Sequence, residues 1–182
     1  KEGYTGDNDQ IPNYPIIKDL VNDRDGYTYC QLFAASKGNY PLYEKVVETM
    51  NQKAELPAET SSGWYIPSAG LICDMFYNLC GITAFHTSYQ NDNISKSKNN
   101  GNQVLREFGP GVYKLNAFSQ RAAGQDLIAT CNICTCSEIE ETDGAYINIS
   151  NSNTAKLCGY MNKGGKGYHT FAVFAFAYPS KP

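Results

Sequence analysis

The stretch Ser62 to Gly70, SGWYIPSAG, constrains the fold of this chain more than any other. It holds the one tryptophan, then Tyr65, Ile66 and Pro67, and then a serine placed to open a helix. An enclosed indole removes roughly 150–250 Å² from water, so Trp64 is expected to plug a core. Pro67 disfavours helix at Ile66 and holds the chain extended there. Ser68 can offer its hydroxyl oxygen to the first free backbone N–H groups of the element that follows. The segment is therefore expected to bury an aromatic and turn directly into a helix.

Helical patterns surround it in the first half. Thr28 is expected to cap a helix in which Cys30, Phe33 and Ala34 share a face, and Gly38 ends it. Pro41 suits the first position of a second helix, with Leu42, Val46 and Met50 as its apolar stripe and Tyr43 and Val47 beside it. Leu71, Ile72, Met75, Phe76 and Leu79 predict a third over 68–80, stopped at Gly81. Residues 1–25 are polar and interrupted by Pro12 and Pro15. They are expected to wrap the domain irregularly, with short edge strands near Ile11 and Ile16-Ile17 and a turn at Asp25-Gly26. Thr87 to Asn102 is nearly devoid of apolar residues and reads as a long surface loop. Gln103 to Phe108 suggests a turn or two of helix, and Val112 to Ala123 a further helix.

From Asp126 the period becomes two. Leu127, Ala129, Cys131 and Ile133 alternate with more polar residues, as in a strand with one buried face. Asp143-Gly144 signals a hairpin, with strands over 145–150 and 156–161 to follow. Tyr168 to Tyr178 is apolar on both faces and is expected at the middle of a sheet. Helices first and strands after give an α+β domain over 26–182, its helices packed on a mainly antiparallel sheet from the second half.

Charge excludes one class of partner. A net charge of −3 offers no basic stripe, and Lys96, Lys98 and Arg106 are too sparse to neutralise a phosphate backbone, so nucleic acid is not an expected ligand. No apolar run approaches the roughly 20 residues of a membrane span. The chain begins at Lys1 without a visible leader, which does not argue for the cytoplasm and leaves an upstream lipid anchor open. Its 14 tyrosines suit carbohydrate or protein contact where exposed, and otherwise pack at the rim of a core.

The order of these elements resembles a known family. Asp25-Gly26 precedes a first helix, SGWYIPSAG opens another, ICTCSE (Ile133 to Glu138) forms a strand before a hairpin, and AVFAF (Ala172 to Phe176) closes the chain. The pattern is similar to bacterial domains grouped with the C-terminal domain of the Lcl collagen-like adhesin. Those domains carry Trp-Tyr-Leu-Pro-Ser, Trp-Ser/Thr-Ser-Ser/Thr-Glu and Arg-Pro-Val-aliphatic-Ala-Phe motifs. The resemblance implies a C-type-lectin-like, sulfatase-modifying-factor-like fold and a place in secreted or surface proteins of gut bacteria. It departs at Cys134 and Cys136, which replace an aromatic and a small hydroxyl residue, and at Phe171-Ala172, which replace Arg-Pro. The family supplies no agreed catalytic residues to carry over.

Several side-chain groups invite chemistry, each beside a plainer reading. Cys131, Cys134 and Cys136, with Cys158 and His169, have some zinc-ligand character. In a strand, however, Cys131 faces away from the other two, and core or disulfide cysteines are the simpler reading. Seven cysteines leave at least one unpaired within a monomer. Cys30 at a helix start and His169 on a late strand have the chain order of papain-like and NlpC-type cysteine hydrolases, against plain burial of both. Asn91, Asp92 and Asn93, or Glu138, Glu140, Glu141 and Asp143, could offer oxygens to calcium, against two solvated loops. Neither a metal nor any other cofactor is expected. The leading expectation is a non-catalytic binding or adhesion module of an extracellular or cell-surface bacterial protein. Its ligand would be a glycan or an extracellular protein, met by Tyr89, Asn91, Asn93, Tyr160 and Tyr168. The alternatives are a hydrolase using Cys30 and His169, and a structural domain of a surface fibre.

Overall fold

The computed structural model describes residues 12, 14, 17–38, 40–80, 104–107, 116–117, 120, 132–140, 143–149, 155–162 and 169–170. Within them the chain runs α1 (Ile17–Leu20), α2 (Gly26–Ala35), α3 (Pro41–Lys53), α4 (Ala69–Cys80), β1 (Val104–Glu107), β2 (Asn132–Glu140), β3 (Asp143–Ile149), β4 (Ala155–Asn162) and β5 (His169–Thr170). The strands form one sheet in the order β1-β4-β3-β2-β5. All neighbouring pairs are antiparallel except β2 with β5. The helices of the first half pack on this sheet, so the α+β expectation holds at the level of class.

Two apolar clusters divide the interior. In one, Leu20 of α1 and Ile72, Cys73 and Phe76 of α4 pack on Ile133, Ile139, Ala145, Ile147 and Leu157 of the sheet. These sheet residues share a face because Ile147 is opposite both Ile133 and Leu157 in the antiparallel register. In the other, Tyr29, Cys30 and Phe33 of α2 meet Tyr40, Tyr43, Tyr65, Ile66 and Cys136. Phe33 stacks on Tyr40 at 4.4 Å between ring centroids and meets Tyr43 edge-on at 5.7 Å. α4 reaches both clusters, since Leu71 packs against the second.

The organising segment behaves differently from expectation in one respect. Trp64 is only half-buried, and its indole N–H donates to the Ala54 carbonyl at 2.8 Å, pinning the link between α3 and α4. The core plug is Ile66, which is fully buried and contributes about 1.5–3 kcal/mol by leaving water. The proline corner explains the exchange. Pro67 keeps the chain extended, its carbonyl accepts the Cys136 N–H at 3.1 Å, and the segment lies along β2.

Other differences have equally local causes. α2 starts at Gly26, with Asp25 rather than Thr28 at its N-cap, and Asp25-Gly26 is a helix start instead of a free turn. In α3 the buried residue is Tyr43, because the helix presents its aromatic to Phe33 while Leu42, Val46 and Val47 flank it. Ile17 opens α1 rather than an edge strand. Val104–Glu107 is a strand paired with β4, not a helical turn. Asn116-Ala117 and Gln120 are helical, as the pattern of that stretch suggests. Glu140 pairs with Asp143, so the hairpin closes before Asp143-Gly144, which begin β3.

β2 is buried along its length, every residue from Ile133 to Ile139 being buried. The expected central strand, over 168–178, is described only at His169–Thr170, which pair parallel to β2 at the end of the described strand order. Gly81 and the stretches Thr87 to Asn102 and Asp126 to Cys131 lie outside the described residues. None of the described helices is long and apolar enough to cross a membrane.

Candidate functional site

Where α1, α2, α4 and β2 meet, a buried polar seam joins helices to sheet. Asp23 follows α1, its N–H bonded to the Leu20 carbonyl at 3.1 Å, and it is 2% exposed. Its Oδ1 accepts from the Tyr29 hydroxyl at 3.0 Å and from the Asp25 N–H at 3.1 Å. Its Oδ2 accepts from the Ser137 hydroxyl at 2.6 Å. Its carbonyl accepts from the Ser68 hydroxyl at 2.8 Å and the Gly70 N–H at 2.9 Å. Ser137 Oγ in turn accepts the Ala69 N–H at 2.8 Å. The first N–H groups of α4, which no turn of helix can satisfy, are thus capped by groups distant in sequence. Ser68, the expected cap, gives its hydroxyl hydrogen to Asp23 instead.

Thr135 extends the seam along β2. Its hydroxyl donates to the Ala145 carbonyl at 2.9 Å and accepts the Ser137 N–H at 3.2 Å. The Tyr14 N–H donates to the Glu138 carbonyl at 3.0 Å, bringing the N-terminal segment onto β2. Buried polar groups are tolerable only when partnered in this way. On the outside, Arg24 clasps Asp74 with two bonds, Nε at 2.7 Å and a terminal nitrogen at 2.8 Å. Being exposed, that pair adds little.

Burial raises the Asp23 carboxyl above its ordinary range, against the donors Ser137, Asp25 and Tyr29. The same burial raises the Tyr29 phenol. A carboxyl whose folded pKa exceeds its unfolded one contributes stability that is complete below the unfolded value and lost as pH rises through the folded value. The stability of the wild type relative to Asp23→Asn, measured by urea unfolding from pH 7.5 to 4, is therefore expected to increase as pH falls. A relative stability that grows with rising pH would show that the three donors outweigh burial.

The described surface aromatic is Tyr27, 43% exposed in the first turn of α2. Its ring meets that of buried Tyr65 edge-on, with centroids 5.7 Å apart and planes at 72°. Tyr65 is held by its neighbour Ile66, whose N–H points to Cys30 Sγ at 3.4 Å. The result is an aromatic ledge: one tyrosine face presented to solvent, backed by a ring locked in the core. Tyr27 is not among the residues that the sequence singles out. The available signal was its position on the helix, an aromatic outside the face formed by Gly26, Tyr29, Cys30 and Phe33.

The residues singled out from sequence fall in several places. Tyr89, Asn91, Asp92, Asn93, Cys131, Glu141 and Tyr168 lie outside the described residues. Cys158 and Tyr160 are on β4. Cys30 is not at a helix start but inside α2, fully buried, with its thiol directed to the Ile66 carbonyl at 3.6 Å. His169 is in register with Ile133, whereas the β2 residue in the Cys30 cluster is Cys136. That offset along β2 is about 10 Å of backbone. Glu138 and Asp143 are buried strand residues, not members of a solvated loop. Among the described residues, no group of three or more His, Cys, Asp or Glu is arranged to hold a metal ion. Burial pushes the Cys134 thiol up to about 12 and Cys136 well above its usual range. Comparison of the chain with family models, with curated proteins and with solved structures gives no match.

Proposed function

We propose that this chain is a lectin-like, non-catalytic binding module of an extracellular or surface bacterial protein. It holds a glycan or an extracellular protein on the Tyr27 ledge. The observation that carries the reading is the exposed Tyr27 ring braced by Tyr65. A tyrosine fixed in this way offers apolar area and a polar tip at little entropic cost, which suits stacking against a sugar ring or a partner side chain. The lectin-like part of the reading draws support from the contact between two of the three motifs behind the family resemblance. SGWYIPSAG and ICTCSE are joined through Pro67 to Cys136 and through Ala69 to Ser137. Tyr89, Asn91, Asn93, Tyr160 and Tyr168 remain proposed contributors from sequence.

Glycan and extracellular-matrix protein arrays probed with the full chain and with Tyr27→Ala test the proposal. The wild type is expected to bind a defined subset of features, and Tyr27→Ala to bind them about tenfold more weakly, an ordinary loss for a central aromatic. Equal binding by a correctly folded Tyr27→Ala would remove the ledge from the site. An array without any signal would favour the surface-fibre alternative.

A further inference from the structure

The second apolar cluster contains two thiols outside the seam, one of which, Cys30, accepts the Ile66 N–H beneath the ledge. Cys30 projects from α2 and Cys136 from β2, and both are fully buried. Adjacent residues fix them: Cys30 Sγ lies 3.4 Å from the Ile66 nitrogen, and the Cys136 N–H donates to the Pro67 carbonyl at 3.1 Å. Cys136 Sγ lies 3.9 Å from the carbonyl of Gly26, one helical turn before Cys30. Both side chains belong to one buried cluster, and the neighbouring Cys30 thiol adds to burial in raising that of Cys136. Cys73 belongs to the first cluster, and Cys134 is a member of neither.

We propose that Cys30 and Cys136 are the chain's specific disulfide-forming pair, tying α2 to β2 when folding takes place in the presence of a small-molecule disulfide. The thiolate of one cysteine attacks the small disulfide and releases one thiol. The second cysteine then attacks the mixed disulfide, forming the protein S–S bond and releasing the second thiol. Two protein thiols are oxidised, one small disulfide is reduced to two thiols, and the two protein protons end on those thiols. Bond formation brings the two sulfurs to about 2.05 Å. Burial disfavours the Cys136 thiolate in the finished fold, so exchange takes place while the cluster is open, and closure then hides the bond from reductant. The loop it closes holds more than half of the chain, the regime in which a cross-link constrains the unfolded state most.

The test is peptide mapping of the full chain, refolded from the reduced state in mixed reduced and oxidised glutathione, then alkylated under denaturing conditions without reductant. The expected result is a Cys30–Cys136 linked peptide as the dominant species, with a Tm about 5–15 °C above that of the reduced protein. Alkylation of both cysteines in the folded fraction, or linkage of either to a different cysteine, overturns the proposal. The mapping uses the wild-type chain and needs no variant to fold. Its outcome is independent of the binding arrays.

Discussion

Gly70→Ala is expected to destabilise the domain by about 3 kcal/mol or more, a large part of the ~5–15 kcal/mol that holds an ordinary domain folded. Gly70 N–H donates to the Asp23 carbonyl at 2.9 Å, and a Cβ at Gly70 would stand 2.3 Å from that oxygen. It would also lie 2.9 Å from the Asp23 carbonyl carbon and from the Val21 oxygen. All three are backbone atoms, so no rotamer change relieves the overlap. The turn after α1 must retreat from α4, or α4 must tilt, and either movement strains the bonds Asp23 makes to Ser68 and Ser137. Gly26 makes the same kind of approach, its added Cβ falling 2.5 Å from the Ser68 nitrogen. Urea unfolding of Gly70→Ala at neutral pH checks the expectation. A loss below about 1 kcal/mol would mean that the two backbones are not in contact.

Ser137→Ala is expected to cost about 3–5 kcal/mol, although it removes a single oxygen. That oxygen donates to the Asp23 carboxylate and accepts the first N–H of α4. Its loss strands a buried carboxylate oxygen and a buried helix N–H together. Stranding a buried polar group costs about 1–3 kcal/mol, and more when the group is charged. Ser137 is fully buried, so water has no open route to replace it. A midpoint shift in urea at constant slope reports the loss directly.

These two residues show what a sequence of this kind discloses. α4 was readable because Ile72 and Phe76 repeat at helical spacing and face the sheet. Pro41 marked the start of α3 for a simple covalent reason, its fixed φ and missing donor. β3 and β4 follow from the hairpin signal at Asp143-Gly144, although those two residues themselves begin β3. β2 was not recognised as the buried strand because Thr135, Ser137 and Glu138 read as polar. Their burial depends on partners such as Ala145, Asp23 and Ala69, which no local window contains. Asp23 and Ser137 are 114 residues apart. Trp64 was misjudged in the opposite sense. Area alone argues for burial of an indole, but its N–H found the Ala54 carbonyl at the rim, and the smaller Ile66 took the interior position. The ledge escaped notice because exposure of a single tyrosine depends on where α2 lies, and that is set by the close approach of Gly26 to the Ser68 segment.

The account depends on Asp23 and Ser137 acting as one unit that fastens the start of α4 to β2. A double-mutant cycle with Asp23→Ala, Ser137→Ala and the double variant, read by urea unfolding at pH 7, measures that coupling. The two single losses are expected to exceed the double loss, with an interaction of about 1.5–3 kcal/mol, as for residues sharing one buried network. Losses that add to within about 0.5 kcal/mol would contradict it, because independent sites behave that way.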